Sequence, residues 1–224
     1  GRGDVEVVAL PENRRFAEGN NAGAERAIEL GAGLLLILNN DTTLEADVLR
    51  RLDDAASGGG MAAPRIVFAE DPGRIWYGGG RFDPWTGLVA HRAIRRPVDA
   101  GADPAGPTDW VTGCALAIRA DLWQRLGGLD PGYYIYSEDV DLCLRARAGG
   151  ARIEYCPDAV VHHQVSASVG GGSSPFKAYH RTRARRQLLR RHGEHLSPRH
   201  RDVPGHLDRH LPQPGGWPQL RDLL

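Results

Sequence analysis

Apolar positions along this chain fall in short blocks punctuated by glycine and proline. Val5 to Leu10 (VEVVAL) is β-branched and apolar and predicts a strand, which Pro11-Glu12-Asn13 breaks. Asn20-Asn21-Ala22-Gly23 then opens a helix to about Leu30. Ala24, Ala27 and Ile28 fall on one face of it, Glu25, Arg26 and Glu29 on the other. Leu34 to Leu38 is apolar at every position, the pattern of a central parallel strand covered on both faces. Strand, helix, strand is the βαβ signature of an α/β domain.

Further along, Thr42-Thr43 is placed to cap a helix running to about Ala56, and Ser57-Gly58-Gly59-Gly60 reads as a loop. Met61 to Phe68 predicts a strand interrupted at Pro64, and Gly78-Gly79-Gly80 with Asp83-Pro84 marks short strands and turns. Residues 95–108 are turn-rich and read as a mobile surface loop. Trp110 to Ile118 reads as a strand, and Asp121 to Leu126 as a short helix stopped by Gly127-Gly128. Ser137 caps a strong helix with Val140, Cys143 and Leu144 on its buried side. Arg145 and Arg147 sit in its last turns, where cations suit the helix dipole. Ala151–Cys156 and Ala159–Val161 read as two strands, Ser166 to Pro175 as a flexible Gly/Ser loop, and Phe176 to His192 as a basic helix.

Composition narrows the class. At 224 residues the chain is one large domain, or a domain (1–195) with a Pro/His/Gly-rich tail (196–224). Lys+Arg and Asp+Glu are both 28, and a zero net charge argues against a nucleic-acid binder. No apolar run approaches the roughly 18 residues that span a bilayer. The chain starts at Gly1 with neither initiator Met nor signal peptide, as a fragment or processed chain would. Cys114, Cys143 and Cys156 are odd in number and lack zinc spacing; they read as buried thiols in a reducing, cytoplasmic setting.

Four places could carry chemistry. In Asn39-Asn40-Asp41-Thr42 a hard carboxylate follows directly on a buried strand, where open α/β sheets bind ligands. A divalent cation bridging a diphosphate needs one or two protein oxygens there; Asp41 suits that role, with Asn39 a weaker donor. A turn capping the next helix explains the same residues. In Ser137-Glu138-Asp139-Val140-Asp141, three acids crowd one helix N-terminus. Dipole complementation accounts for part of this, but mutual repulsion also raises proton affinity, which serves a general base. The preceding Gly132-Tyr133-Tyr134-Ile135-Tyr136 would suit a sugar ring. His162-His163, ahead of the Gly/Ser loop, fits a metal ligand, a proton relay or plain surface. Lastly, nine Lys/Arg between 177 and 201 stand against one acid, Glu194. That is a solvated cationic face, a diphosphate neutraliser or an attraction to anionic lipid.

Read in order, PENRRFAEGNNAG, LLLILNNDT, WVTGCALAIR, LGGLDPGYYIYSEDVDLCLRARAGGARIEYCPDAVVHHQVSAS and YHRTR resemble the rhamnosyltransferase-like branch of the family 2 glycosyltransferases, over about residues 5–192. The resemblance implies an α/β fold of GT-A type, a mixed, mainly parallel sheet flanked by helices. It implies an inverting enzyme that moves a sugar, rhamnose among the candidates, from a nucleotide-diphosphate sugar to a saccharide or lipid-linked acceptor. By the same resemblance Asp41 binds Mg2+ or Mn2+ and His163 contacts the metal or diphosphate. Asp139 is the base, with Glu138 beside it. Asn20, Asn21 and Asn39 border the nucleotide diphosphate, and Thr112-Gly113-Cys114 borders the donor sugar and acceptor. The Gly loop 169–174 would close over the donor. Acceptors of this branch on the cytoplasmic face would make residues 177–191 a peripheral membrane contact.

Two departures stand out. The family's first βαβ unit, which holds the base, is missing ahead of Val5, and its late Arg-Asn pair is Arg183-Ala184 here. The first departure motivates an alternative, a non-catalytic remnant that binds a partner but no nucleotide. A sugar-nucleotide pyrophosphorylase is a third reading, and no Gly-rich phosphate loop supports it.

Overall fold

The computed structural model describes residues 5–58, 60–99, 103–165 and 174–196, with side chains described to 192. Five helices and nine strands are assigned among them: α1 (Arg15–Glu29), β1 (Leu34–Leu38), β2 (Thr42–Leu44), α2 (Val48–Ser57), β3 (Gly60–Phe68), β4 (Asp71–Tyr77), β5 (Gly80–Asp83), β6 (Leu88–His91), β7 (Gly106–Pro107), β8 (Ala115–Arg119), α3 (Ala120–Leu126), α4 (Glu138–Ala148), β9 (Arg152–His163) and α5 (Pro175–Leu196). The main sheet runs β1-β8-β3-β9-β2, with β4 on β3 and β7 on β9; β5 and β6 form a separate hairpin. It is mixed. Its longest pairing, β3 with β9, is parallel, and the flanking pairs are antiparallel, so parallel pairing is confined to the centre of the sheet. Leu52, Met61, Ile66, Leu116, Ile118, Leu142 and Tyr155 fill the core where α2, α4 and the sheet meet.

Several elements differ from their sequence reading, and the cause is usually a distant partner. Residues 5–10 form no strand, and Val5 and Val7 stand about four-fifths exposed. β-Branched side chains favour a strand only where a neighbour completes the ladder. The first helix begins at Arg15, so Asn20 and Asn21 lie inside it. β1 sits at one end of the path, antiparallel to β8. Thr42 donates its hydroxyl to the Asn39 carbonyl (2.6 Å) and enters β2 instead of capping a helix; α2 starts at Val48, after left-handed Asp47. Trp110 to Cys114 precede β8 without joining it. The two strands expected over 151–161 are one, because the three extra residues Pro157-Asp158-Ala159 are accommodated as an irregularity opposite Pro64.

The 95–108 stretch is not a loose loop where it is described. Buried Asp103 accepts two hydrogen bonds from Arg65 (2.7 and 2.8 Å) and one from the Tyr155 hydroxyl, and Gly106–Pro107 pairs with β9. The Gly/Ser loop expected at 166–175 lies outside the described residues except for Ser174 and Pro175. The 197–224 tail lies wholly outside them.

Candidate active site

The sheet brings Asp41 to His163 through backbone alone. β2 pairs with the end of β9 so that Thr42 lies opposite His163, and the Gln164 N–H donates to the Asp41 carbonyl (2.8 Å). In consequence His163 Nε2 stands 3.4 Å from Asp41 Oδ1. Its ring packs edge-on to Trp76, with centroids 4.6 Å apart, and its buried Nδ1 has no hydrogen-bond partner. Burial pushes the His163 pKa down, against the pull of Asp41, which favours the neutral imidazole that can offer one nitrogen to a metal. His162 points elsewhere, its Nε2 2.9 Å from the Glu45 carboxylate.

The second half of the site is the start of α4. Tyr136 and Ser137 both have φ of +70°, a left-handed conformation costly for residues with a side chain. That kink sets Glu138 and Asp139 at the mouth of the helix. Asp139 accepts hydrogen bonds from the N–H groups of Gly113 and Val140, each 2.8 Å. Burial raises its pKa, and those two donors pull it back. Glu138 is buried and its Oε2 has no hydrogen-bond partner. Burial first, then the charge of Asp139, pushes its pKa up to about 8. Both carboxyls are pushed up by burial, and only Asp139 has N–H donors that favour its ionised form.

Residues 112–114 join the two halves. The Gly113 N–H reaches Asp139, and the Cys114 carbonyl accepts from the Asn39 N–H (3.0 Å). Thr112 is buried, its hydroxyl accepting from the Cys114 N–H at 3.3 Å. Burial first, then the charges of Asp41 and Asp139, raises the Cys114 thiol to about 12. Gly113 is closely packed: a Cβ there would lie 2.8 Å from the ring of Phe16, which would have to shift, and 3.7 Å from the Asp139 side chain. No sequence signal marked Phe16 or Trp76 as neighbours of the site.

Other expected site residues are already committed to the scaffold. The Asn21 amide donates to the Leu129 carbonyl (2.8 Å) and accepts from the Leu129 N–H (2.9 Å), clamping α1 to the turn before α4. Asn20 donates to the Phe16 carbonyl of its own helix (2.8 Å). Asp141, third of the acids, is fully buried. It takes a hydrogen bond from Arg145 Nε (2.8 Å) and lies 2.8 Å from His192 Nε2. It ties α4 to α5 and leaves two acids at the kink. The aromatic run is occupied too: Tyr133 is buried against Asp141, and Tyr134 meets the Arg15 guanidinium at 3.8 Å and stacks on His180 at 4.6 Å. A depression of about 800 Å³ opens at the other end of β3 and β9 among Gly58, Arg119, Arg125 and Arg152 and contains none of these residues.

Asp41 and His163 offer one hard oxygen and one neutral imidazole. Among the described residues no group of three or more His, Cys, Asp or Glu side chains is placed to hold an ion. Two protein ligands suit Mg2+ or Mn2+, which take their remaining oxygens from water and substrate phosphates. The donor set, Asp41 Oδ1 beside His163 Nε2, fits such an ion.

The architecture is that of GT-A transferases. It is similar to the crystal structure of GalNAc-T7 with UDP, GalNAc and Mn2+, at a TM-score of 0.59 and 17% identity over 86% of this chain and 38% of that one. At that identity the likeness shows the fold alone. The chain belongs to the family described as Glycosyltransferase like family 2, whose sequence profile matches residues 5–188. It is 43% identical over 49 residues to the rhamnosyltransferase WbbL of Escherichia coli (strain K12), covering 22% of this chain. It is 33% identical over 101 residues to the N-acetylglucosaminyl-diphospho-decaprenol L-rhamnosyltransferase of Mycobacterium tuberculosis (strain CDC 1551 / Oshkosh), covering 45% of this chain. The matched stretches span 19% and 31% of those relatives' own lengths. No helix among the described residues is long and apolar enough to cross a membrane.

Proposed function

We propose that this chain carries the catalytic half-site of an inverting, metal-dependent glycosyltransferase. It moves a sugar, rhamnose in keeping with its relatives, from a nucleotide-diphosphate donor to a saccharide or lipid-linked acceptor. The observation that carries the reading is the 112–114 turn, with the Asp41–His163 pair on one side and the Glu138–Asp139 pair on the other.

Asp41 and His163 would hold Mg2+ or Mn2+, with the Asn39 side chain near enough in sequence to assist. The ion, when bound, neutralises charge on the diphosphate leaving group. Asp139 acts as the base: its two N–H donors aim it and favour its ionised form, while burial raises its affinity for the acceptor hydroxyl's proton. Glu138, holding its proton, spares Asp139 a second negative neighbour. With one base and one displacement the acceptor attacks the face opposite the leaving group, which inverts the anomeric carbon. Thr112 and Gly113 border the reacting sugar, Gly113 leaving room for it. Asn20 is linked to that turn through Phe16, whose carbonyl accepts from its amide and whose ring lies against Gly113; Asn21 supports the site through Leu129. An acceptor carried on lipid would bring the enzyme to the cytoplasmic face of a bilayer, the contact expected of residues 177–191.

The test is transfer from a panel of nucleotide-diphosphate rhamnose and hexose donors with Mn2+. Asp139→Asn should cost about 10²–10⁴-fold in turnover with donor affinity unchanged, and EDTA should abolish transfer. Absence of calorimetric donor binding with Mn2+ present would instead support the non-catalytic remnant.

A further inference from the structure

Outside the site, the β5–β6 hairpin holds an indole out in water by design. Asp83 fixes the turn: its carboxylate accepts from the Trp85 N–H (2.9 Å) and the Thr86 hydroxyl (2.6 Å). Gly87, at φ +67°, lets the chain bend tightly over α5, where an added Cβ would strike Leu189 at 2.8 Å. Arg185 Nε donates to the Thr86 carbonyl (2.6 Å) and locks the tip to the helix. On this braced tip Trp85 is 57% exposed and Leu88 53% exposed. The register places Arg81 and Leu88 on the outward face of the hairpin, while Phe82 is buried on the inward one.

Arg181 and Arg185, one helical turn apart, form an exposed stripe on α5. At one end Arg185 meets the tip. At the other, Arg181 lies 5.3 Å from the ring of Tyr136, the residue before the Ser137–Asp139 kink. The stripe therefore runs from the hairpin to the candidate base. Isolated exposed leucines are ordinary, but an indole and a leucine on a rigid turn, rimmed by arginines, combine an apolar anchor with charge complementarity to an anionic surface. Trp is the residue type favoured at headgroup depth, and each Arg near anionic lipid adds attraction.

We propose that Trp85 and Leu88, with Arg81, Arg181 and Arg185, form one docking face for an anionic phospholipid bilayer. The indole sits at the headgroup level and the guanidinium groups on lipid phosphates. This deepens the lipid-linked-acceptor reading, because the same stripe would hold the bilayer beside Asp139 and present an acceptor headgroup to it.

The test uses the full chain and vesicles of phosphatidylcholine with or without 30 mol% phosphatidylglycerol, flotation measuring the bound fraction. Binding should be at least about tenfold stronger to the anionic vesicles. Trp85→Ser and, separately, Leu88→Gln should each lower it several-fold, with melting temperature unchanged because both side chains are largely exposed. In brominated phosphatidylcholine/phosphatidylglycerol vesicles, part of the tryptophan emission should be quenched, and that part should vanish in Trp85→Phe. Equal flotation with neutral and anionic vesicles, undiminished binding of Trp85→Ser, or quenching that survives Trp85→Phe would each overturn the proposal. None of these readouts needs a sugar nucleotide. Donor binding by calorimetry reports separately on the glycosyltransferase reading, and Trp85→Ser should leave it intact.

Discussion

At the scale of single residues, the acids at the kink divide their labour by what surrounds them. Glu138 gives this a pH signature. Its carboxyl, ordinary in the unfolded chain, is pushed up to about 8 in the fold, so between roughly pH 4.5 and 8 the folded state binds more protons than the unfolded one. Stability should fall as pH rises through that window. Glu138→Gln should flatten the slope, as thermal melts at successive pH values would show. Gly113 makes a steric prediction. Gly113→Ala should cost about 1–3 kcal/mol through Phe16, and Phe16→Leu in the same chain should return much of it, a coupling that a double-mutant cycle measures. Ser137 makes a conformational one. A residue at φ +70° costs about 1–2 kcal/mol unless it is glycine. Ser137→Gly should therefore leave the melting temperature equal or higher, while turnover drops because Asp139 is less firmly aimed.

At the scale of elements, α4 is joined to its neighbours through one buried carboxylate. Asp141 gathers Arg145, His192 and Tyr133, and Arg145 carries the link on to the Leu126 and Gly128 carbonyls at 2.6 and 2.8 Å. Asp141→Asn leaves the Arg145 guanidinium without its counter-charge. It should destabilise by about 3–5 kcal/mol, read as a lowered denaturant midpoint with the same m-value. The sequence showed α4, its buried face and the excess of acid at its start, but not that one acid belongs to the scaffold. That role depends on His192, 51 positions away. Asn21 was opaque for the same reason, its partner Leu129 being 108 positions on. The strand reading failed at residues 5–10 and the helix-cap reading at Thr42, where the ladder partner decides the outcome; the apolar runs of β1 and β3 marked them as strands, but not the antiparallel place of β1 at the end of the sheet.

At the scale of the molecule, the ordered run of segments made the family legible, because each motif keeps its place relative to the others. The pairing of Asp41 with His163 came only with that resemblance. From residues alone, nothing links position 41 to 163 until β2 is seen to lie against β9. Nor did the chain announce Trp76 or Phe16, ordinary apolar letters whose importance lies in what they touch. α5 shows a further property of the whole. It reaches the hairpin through Arg185 and Leu189, the turn before α4 through Arg191 and Asp130, the aromatic run through His180, and Asp141 through His192. During synthesis from the N-terminus, α4 is made before α5, so Asp141 has Arg145 of its own helix beside it but lacks His192, and Leu188 is unseated, until α5 has followed. Assembly of this part of the fold thus waits for α5, and a ribosome stalled before that helix would carry a nascent chain with its interior acid still open to water on the side that His192 covers.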